Sequence, residues 1–361
     1  MSLQESVLVT VDYETFGDGS GCLDNCVVNP AERIALIVEQ HGGRATFYVE
    51  ALEFVCMERW SKANNNTELF EKIQRVKLQI QSLYNRGHDI QVHIHPQWHN
   101  ANEFSNGKWI LDFTKWRIGN CTREEIQEMF QESTDWLSKV LNKKACWRPT
   151  SFRAGGWCVQ PSKNIVTVLE HFNFIADTTV APNCSGRGTH TWYDFRVASK
   201  KPWWGMSEEV ISEGNSKITE VPIATAPCFG VLTAIEKLKR GKNHGPKGCV
   251  GSPNAPLSKI DSLINKIRKL LPFSPQMLDY CLLTINQMKS THKSWIEMRG
   301  SEMSKGKKSL PVVSIGHNKT FGSASEVVLD KYLQWSRETR NADICTMSSW
   351  LKDNLNHNEQ Q

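Results

Sequence analysis

The sequence alternates short apolar runs with longer stretches in which apolar residues recur every three or four positions. The apolar runs predict eight strands, at 6–11, 45–49, 89–95, 151–154, 174–176, 219–223, 312–315 and 344–347. Several of the intervals carry helical signals, such as Asn29-Pro30 at a helix start and the capping box Thr122-Arg123-Glu124-Glu125. Strands that alternate with helices are typical of βα units around a parallel sheet. We therefore expect an α/β fold, a distorted or incomplete TIM-like (β/α) barrel.

Residues from about 231 to 310 break this alternation. Residues 242–256 are rich in Gly, Pro and Asn and predict a loop, and the apolar spacing over 260–271 predicts an amphipathic helix. A further helix is predicted from Ser274-Pro275 to Ile285. We interpret the chain as one domain, 1–361, that carries a helical insertion at about 231–310.

The insertion is also where positive charge collects. Between Glu236 and Lys308 there are fifteen Lys or Arg and five Asp or Glu, although the whole chain carries a formal net charge of only +5. The polar side of the 260–271 helix holds Lys266, Arg268 and Lys269. Such a region attracts anionic partners.

Composition and the N-terminal sequence limit the class of protein. With 361 residues, 39% of them hydrophobic and 22% charged, the chain resembles an ordinary globular enzyme. It contains no run of eighteen apolar residues and no basic-then-apolar leader, so we expect a cytoplasmic protein. The eleven cysteines are scattered without a paired CxxC framework, and we expect mostly free thiols, with Cys22 and Cys26 the closest pair.

Polar residues with catalytic potential follow the predicted strands. Asp12 and Glu14 follow the first strand, three histidines lie at the end of the third, and Arg153 and His317 end later ones; the histidines are His93, His95 and His99. In a βα barrel the carboxyl ends of the strands meet at one rim, which carries the active site. Carboxylates and imidazoles gathered at such a rim are typical of a metal-dependent hydrolase.

With these residues in this order, the sequence resembles the polysaccharide-deacetylase (NodB-homology, carbohydrate esterase 4-like) family. The resemblance spans residues 7 to 317. The matching segments are Val9-Thr10-Val11-Asp12-Tyr13-Glu14, Ala45-Thr46-Phe47-Tyr48-Val49, Gly87-His88-Asp89-Ile90-Gln91-Val92-His93, Phe152-Arg153-Ala154-Gly155-Gly156, Glu220-Val221-Pro222-Ile223 and Ile315-Gly316-His317.

The resemblance implies a role for each of the matching polar residues. Asp12 would be the general base, Glu14 would bind a divalent metal, most simply zinc, and Arg153 would keep Asp12 ionised. His317 would protonate the leaving amine. Tyr13 separates Asp12 from Glu14, so both acids lie on one face of an extended strand and can reach the same site.

The metal histidines depart from the family pattern. The family spaces them H-x-x-x-H, and counting four residues from His93 leads to Gln97. His93 and His95, two apart on a strand, point the same way and can bind one metal. Alternatively, His95 and His99 restore the four-residue spacing. We favour His93 with His95, because His93 stands where the family's first ligand falls.

The resemblance implies hydrolysis of an amide-linked acetyl or formyl group on an amino sugar in cell-surface polysaccharide or glycolipid biosynthesis. Trp98 and Trp157 lie near the motif loops and could stack on sugar rings. A cytoplasmic enzyme would meet its sugar on a nucleotide or lipid phosphate, which the basic insertion could bind. We expect no nucleic-acid partner and at most peripheral membrane contact. The alternatives are an inactive carbohydrate-binding barrel and a metal-dependent phosphoesterase.

Overall fold

The structure is a computed structural model and describes residues 4–141, 147–228, 274–303 and 309–355. The described strands, in chain order, are β1 Glu5–Tyr13, β2 Thr46–Glu50, β3 Asp89–Ile94, β4 Phe104–Ser105, β5 Lys108–Trp109, β6 Ser151–Ala154, β7 Ala176–Asp177, β8 Ser185–Arg187, β9 Trp192–Asp194, β10 Trp204–Gly205, β11 Thr219–Glu220, β12 Thr225–Cys228, β13 Ser274–Met277, β14 Leu310–His317 and β15 Asp343–Cys345. The described α-helices are α1 Asn29–Gln40, α2 Ala51–Ala63, α3 Thr67–Asn85, α4 Arg123–Val140, α5 Lys163–His171, α6 Ile285–Arg299, α7 Ser323–Arg340 and α8 Met347–Asn354.

The main sheet has the strand order β10-β11-β7-β6-β3-β2-β1-β14, and β15 pairs with the first half of β1. Its strands are parallel except for β10, which runs antiparallel to β11. All eight predicted strands overlap strands of this sheet. The expected incomplete (β/α) barrel is therefore confirmed.

Irregular backbone brings the two ends of the curled sheet together. Ile223, just after β11, forms a parallel bridge with Val313 of β14, and Asp279 forms another with Ile315. The backbone N–H of Leu278 donates to the carbonyl of Ala224 (2.8 Å). These bonds satisfy polar backbone groups that an open sheet edge would leave exposed.

Strand β1 lies at the centre of the fold and positions the site. All nine of its residues are buried, and they pair with β14 from Glu5 with Leu310 to Asp12 with His317. Because both strands are parallel and in register, their carboxyl ends stop at the same level of the rim. Asp12 and His317 are thus brought side by side by backbone pairing alone.

The helices around this sheet follow the sequence signals in most places. Helix α1 ends before Gly42-Gly43, and Thr122 and Glu125 form the predicted capping box of α4. Helix α2 was not predicted. It begins directly after β2, where the Glu50 side chain accepts from the N–H of Leu52 (3.2 Å) and replaces a conventional cap.

The helix predicted to begin at Ser274-Pro275 is wrong. Residues Ser274–Met277 form β13, paired antiparallel with β12, and α6 begins only at Ile285, after a capping box made by Thr284 and Gln287. The misleading periodicity included Leu282, whose side chain is 55% exposed. The loop predicted at 242–256 and the helix predicted at 260–271 lie outside the described residues.

Two further features of the fold concern its helices and its cysteines. Among the helices that the structure describes, none combines the length and apolarity needed to cross a membrane. Cys26 is disulfide-bonded, whereas Cys22 does not belong to a disulfide. The two nearest cysteines therefore do not bridge each other, and the expectation of a free thiol is wrong at Cys26.

Candidate metal centre and active site

Three buried side chains form a cluster suited to one metal ion. The carboxylate Oε2 of Glu14 lies 2.9 Å from Nε2 of His95 and 3.7 Å from Nε2 of His93. One potential ligand atom from each of the three residues lies within 4.8 Å of the other two. One carboxylate oxygen and two imidazole nitrogens at this spacing match the three protein ligands of a catalytic zinc site, which leaves a fourth position open. The structure therefore brings together the favoured pair, His93 with His95.

The orientation of His93 tests whether the cluster fits a metal. Its Nδ1 is 2.8 Å from the backbone carbonyl oxygen of Arg153 and donates to it, so Nε2 carries the lone pair. That Nε2 atom is buried and has no hydrogen-bond partner. An unpaired buried acceptor costs free energy, and a cation bound there would satisfy it. The residues present fit a divalent metal such as zinc.

His95 is held from two sides. The side chain of Gln97, which occupies the position of the family's second histidine, lies 3.0 Å from Nδ1 of His95. Gly155, in the arginine motif, lies flat against the same ring: a Cβ atom there would come within 2.5 Å of Cγ of His95. The glycine is therefore required by the close approach of the imidazole, and Gln97 contacts a ligand instead of being one.

Beside the metal trio lies a second group, built on Asp12. Arg153 is fully buried, and its Nη1 donates to Oδ1 of Asp12 (2.8 Å). Its Nε donates to the carbonyl of Thr178, and its guanidinium lies 4.5 Å from the centre of the Tyr48 ring. Nε2 of His317 lies 3.4 Å from the other carboxylate oxygen of Asp12. Asp12 therefore has a fixed cation on one oxygen and an imidazole on the other.

The electrostatics of these groups set their charges. Burial opposes ionisation of Asp12, but the positive charge of Arg153, together with the neighbouring imidazoles of His93 and His317, outweighs it and holds the pKa of Asp12 below its usual value. Burial also disfavours the imidazolium of His317 and lowers its pKa to about 4. At neutral pH, Asp12 is thus an ionised acceptor and His317 a neutral imidazole.

Two more functional residues directly follow His317, and the sequence analysis missed both. Asn318 accepts the backbone N–H of Glu14 through Oδ1 (3.1 Å), and Lys319 donates from Nζ to Oε1 of Glu14 (2.8 Å). Burial opposes ionisation of Glu14, but Lys319, together with His95 and His93, outweighs it and holds the pKa of Glu14 well below its usual value. The register of β14 with β1 is the signal that could have revealed them, since residues just past His317 must pass the end of β1.

Two buried acids support the site from behind. Glu50 accepts the backbone N–H of His95, and Glu53 accepts both the N–H and the hydroxyl of Thr15. Burial raises the pKa of Glu50 well above its usual value and that of Glu53 to about 8. Burial thus favours the neutral form of both acids, which limits the negative charge close to Glu14.

The structure separates the remaining predicted residues. His99 belongs to neither of the potential metal groups among the described residues; its Nε2 faces the exposed Glu128 at 3.9 Å. Trp98 is 2% exposed and offers no open face for a sugar ring. Trp157 is half-buried, with its ring centre 6.1 Å from that of His317. Of the two predicted stacking residues, only Trp157 lies at the site.

Comparisons with known proteins come from structure alone, since no protein-family profile and no curated protein matches the sequence. A candidate glycoside hydrolase/deacetylase from Parabacteroides distasonis superposes with a TM-score of 0.52 at 11% identity, over 96% of this chain and 70% of that one. A candidate polysaccharide deacetylase from Mycobacterium smegmatis gives 0.49 at 12%, over 97% and 89%. A carbohydrate esterase 4 family pseudoenzyme from Bacillus anthracis gives 0.39 at 10%, over 97% and 66%. At these identities the similarity is one of fold, and this chain shares the deacetylase fold of the Parabacteroides distasonis protein.

Proposed function

We propose that this protein is a metal-dependent hydrolase that removes an amide-linked acyl group, acetyl or formyl, from an amino sugar, with zinc as the metal. The observation that carries the proposal is the unpartnered Nε2 of His93, which faces Glu14 and His95 at the side of the Asp12–His317 pair. In this proposal the metal ligands, the base and the proton donor would lie on one rim. The polysaccharide-deacetylase fold supports the same reaction class.

The chemistry divides among these residues. Glu14, His93 and His95 would hold the metal, which when bound supplies a Lewis acid for water and for the amide carbonyl. Asp12 takes a proton from the attacking water at Oδ2. Asp12 passes that proton to the neutral Nε2 of His317, 3.4 Å from Oδ2, and the carbon–nitrogen bond then breaks as the imidazolium delivers it to the departing amine. Arg153 keeps Asp12 ionised before the reaction and holds it in place throughout, because its buried guanidinium is hydrogen-bonded to both Asp12 and Thr178.

Two features of the protein would help to bind the substrate. Trp157 stands beside His317, where a sugar ring could stack on the indole. The surplus of positive charge between Glu236 and Lys308 supports a substrate carried on a nucleotide or lipid phosphate at the inner side of the membrane. Free amino sugars would then be poorer substrates than phosphate-linked ones.

One experiment separates the proposed function from its alternatives. The purified protein is analysed for bound metal and then assayed for acetate and formate release from N-acylated amino sugars, with p-nitrophenyl phosphate as a parallel substrate. Bound metal with acyl release supports the proposal. Bound metal with phosphate release instead identifies a phosphoesterase, and sugar binding without either reaction identifies an inactive carbohydrate-binding protein.

A further inference from the structure

Lys319 is an unexpected cation inside the site. Its side chain is 2% exposed, and its Nζ lies 2.8 Å from Oε1 of Glu14. It follows Asn318, which accepts a hydrogen bond from the backbone N–H of Glu14. Two consecutive residues therefore hold Glu14, one at its backbone and one at its side chain. None of the roles in the proposed reaction needs this lysine.

The two oxygens of Glu14 have different neighbours, and Nε2 of His317 also lies 3.9 Å from Oε1. Oε1 faces Lys319, while Oε2 faces Nε2 of His95 at 2.9 Å and Nε2 of His93 at 3.7 Å. A carboxylate that is free to turn can give both oxygens to one metal. Here the ammonium occupies one of them, and with almost no exposed surface it has no room to swing away.

The charges around Asp12 and Glu14 also affect the binding of a divalent metal. Arg153 offsets the charge of Asp12, and Lys319 offsets that of Glu14, so the cluster is balanced before any divalent ion is added. A metal bound through Oε2 would lie close to the ammonium. At such short range, with little intervening solvent, like charges repel appreciably.

We propose that Lys319 is a positioning residue that makes Glu14 a one-oxygen ligand and weakens the affinity of the centre for divalent metal. This inference rests on the proposed metal site. By keeping Glu14 monodentate, Lys319 leaves coordination positions open for water and for the amide carbonyl, which a catalytic site requires and a closed structural site lacks.

Two substitutions separate the charge of Lys319 from its hydrogen bond. Lys319→Gln removes the charge but keeps a donor for Oε1, whereas Lys319→Met removes both. Metal affinity is measured by competition with a chromophoric chelator, and coordination by the visible absorption of the Co²⁺-loaded protein. Lys115→Met is the matched control, because Lys115 forms an equivalent 2.8 Å pair with Glu125 outside the centre.

Both variants at position 319 should bind Zn²⁺ and Co²⁺ more tightly than wild type, on the order of tenfold, because a like charge has been removed. In Lys319→Met the Co²⁺ absorption should also weaken as Glu14 adds its second oxygen and the coordination number rises. In Lys319→Gln the absorption should stay as in wild type. Lys115→Met should change neither measurement.

The inference is overturned if both variants bind metal as wild type does, or more weakly. A crystal structure of the zinc-loaded wild type tests it without any substitution: Nζ of Lys319 must remain on Oε1, and a Glu14 that chelates zinc through both oxygens contradicts the inference. If the wild type binds no divalent metal, the proposed function fails and this inference with it. Unchanged affinity in variants of a metal-binding wild type rejects the role of Lys319 alone.

Discussion

The backbone carbonyl of Arg153 accepts a hydrogen bond from His93, while the guanidinium of the same Arg153 holds Asp12; both distances are 2.8 Å. One buried residue thus orients a candidate metal ligand through its main chain and the proposed general base through its side chain. The parallel pairing of His93 in β3 with Arg153 in β6 makes this possible. A substitution of the Arg153 side chain would remove the contact with Asp12. It would leave in place the backbone carbonyl that orients His93.

Asp12→Asn should retain metal and lose activity. The amide keeps the shape of the carboxylate but cannot accept the water proton, so we expect turnover to fall by on the order of a hundredfold or more. The three metal ligands are other residues, so the measured metal content should match wild type. Near-normal turnover would remove Asp12 from the mechanism.

The choice between the two histidine pairs predicts opposite results for two alanine variants. His93→Ala removes an imidazole that faces Glu14 in the core of the site, and it should lose tightly bound zinc. His99→Ala removes a ring that faces Glu128 near the surface, and it should keep zinc. Metal content of the two purified proteins is the measurement. The reverse result would return the site to His95 with His99.

Much of the fold could be predicted because each signal was local. The eight apolar runs each overlap a strand of the main sheet, and the Thr122 capping box correctly marks the start of α4. Helix α2 was missed because its first turn is capped from Glu50, a strand residue. The false helix at Ser274 arose because periodicity cannot register that a neighbouring strand, β12, offers backbone partners.

For the site, the sequence indicated residue types and strand ends but not distances. Asp12, Glu14, His93 and His317 were recognisable because each follows an apolar run. Lys319 was not, because a lysine two residues past a strand is usually solvated. Trp98 shows the converse error, since proximity to a motif along the chain says nothing about whether a side chain faces the site or the core.

Stability should depend on pH through Glu58, remote from the site. Burial opposes its ionisation, but hydrogen bonds from Lys62 (2.8 Å), Lys77 (2.7 Å) and Trp136 (3.1 Å) outweigh it and lower the pKa of Glu58 to about 2, against an ordinary value of 4.5. The unfolded chain therefore binds the proton first as pH falls. The stabilisation is complete above pH 4.5 and is lost as the pH falls towards 2.

Glu58→Gln should accordingly lower the free energy of unfolding by about 1 to 2 kcal/mol at pH 7, a value reduced from the full shift because Lys62 is largely exposed. Urea titrations at pH 7 and near pH 2.5 measure the difference, which should shrink at the lower pH. The exposed Glu103→Gln serves as the control and should show little effect at either pH. A Glu58→Gln deficit that is equal at both pH values would contradict the argument.

Gly155→Ala should damage the metal centre, whereas an equally crowded glycine elsewhere should not. A Cβ at 155 would lie 2.5 Å from Cγ of His95, and a Cβ at Gly43 would lie 2.3 Å from Cγ2 of Ile344, at the opposite end of the barrel strands. Neither glycine has a positive φ, so the cost in both variants is crowding, typically about 1–3 kcal/mol of stability. Both variants should therefore unfold at lower temperature, but only Gly155→Ala should also bind Zn²⁺ more weakly, because the new methyl group would displace the imidazole ring of His95.

Calorimetry and chelator competition on the two proteins provide the comparison. If Gly155→Ala loses stability while binding zinc as tightly as Gly43→Ala, then His95 does not hold the metal, and the ligand set must be sought among Asp12, Glu14 and His317.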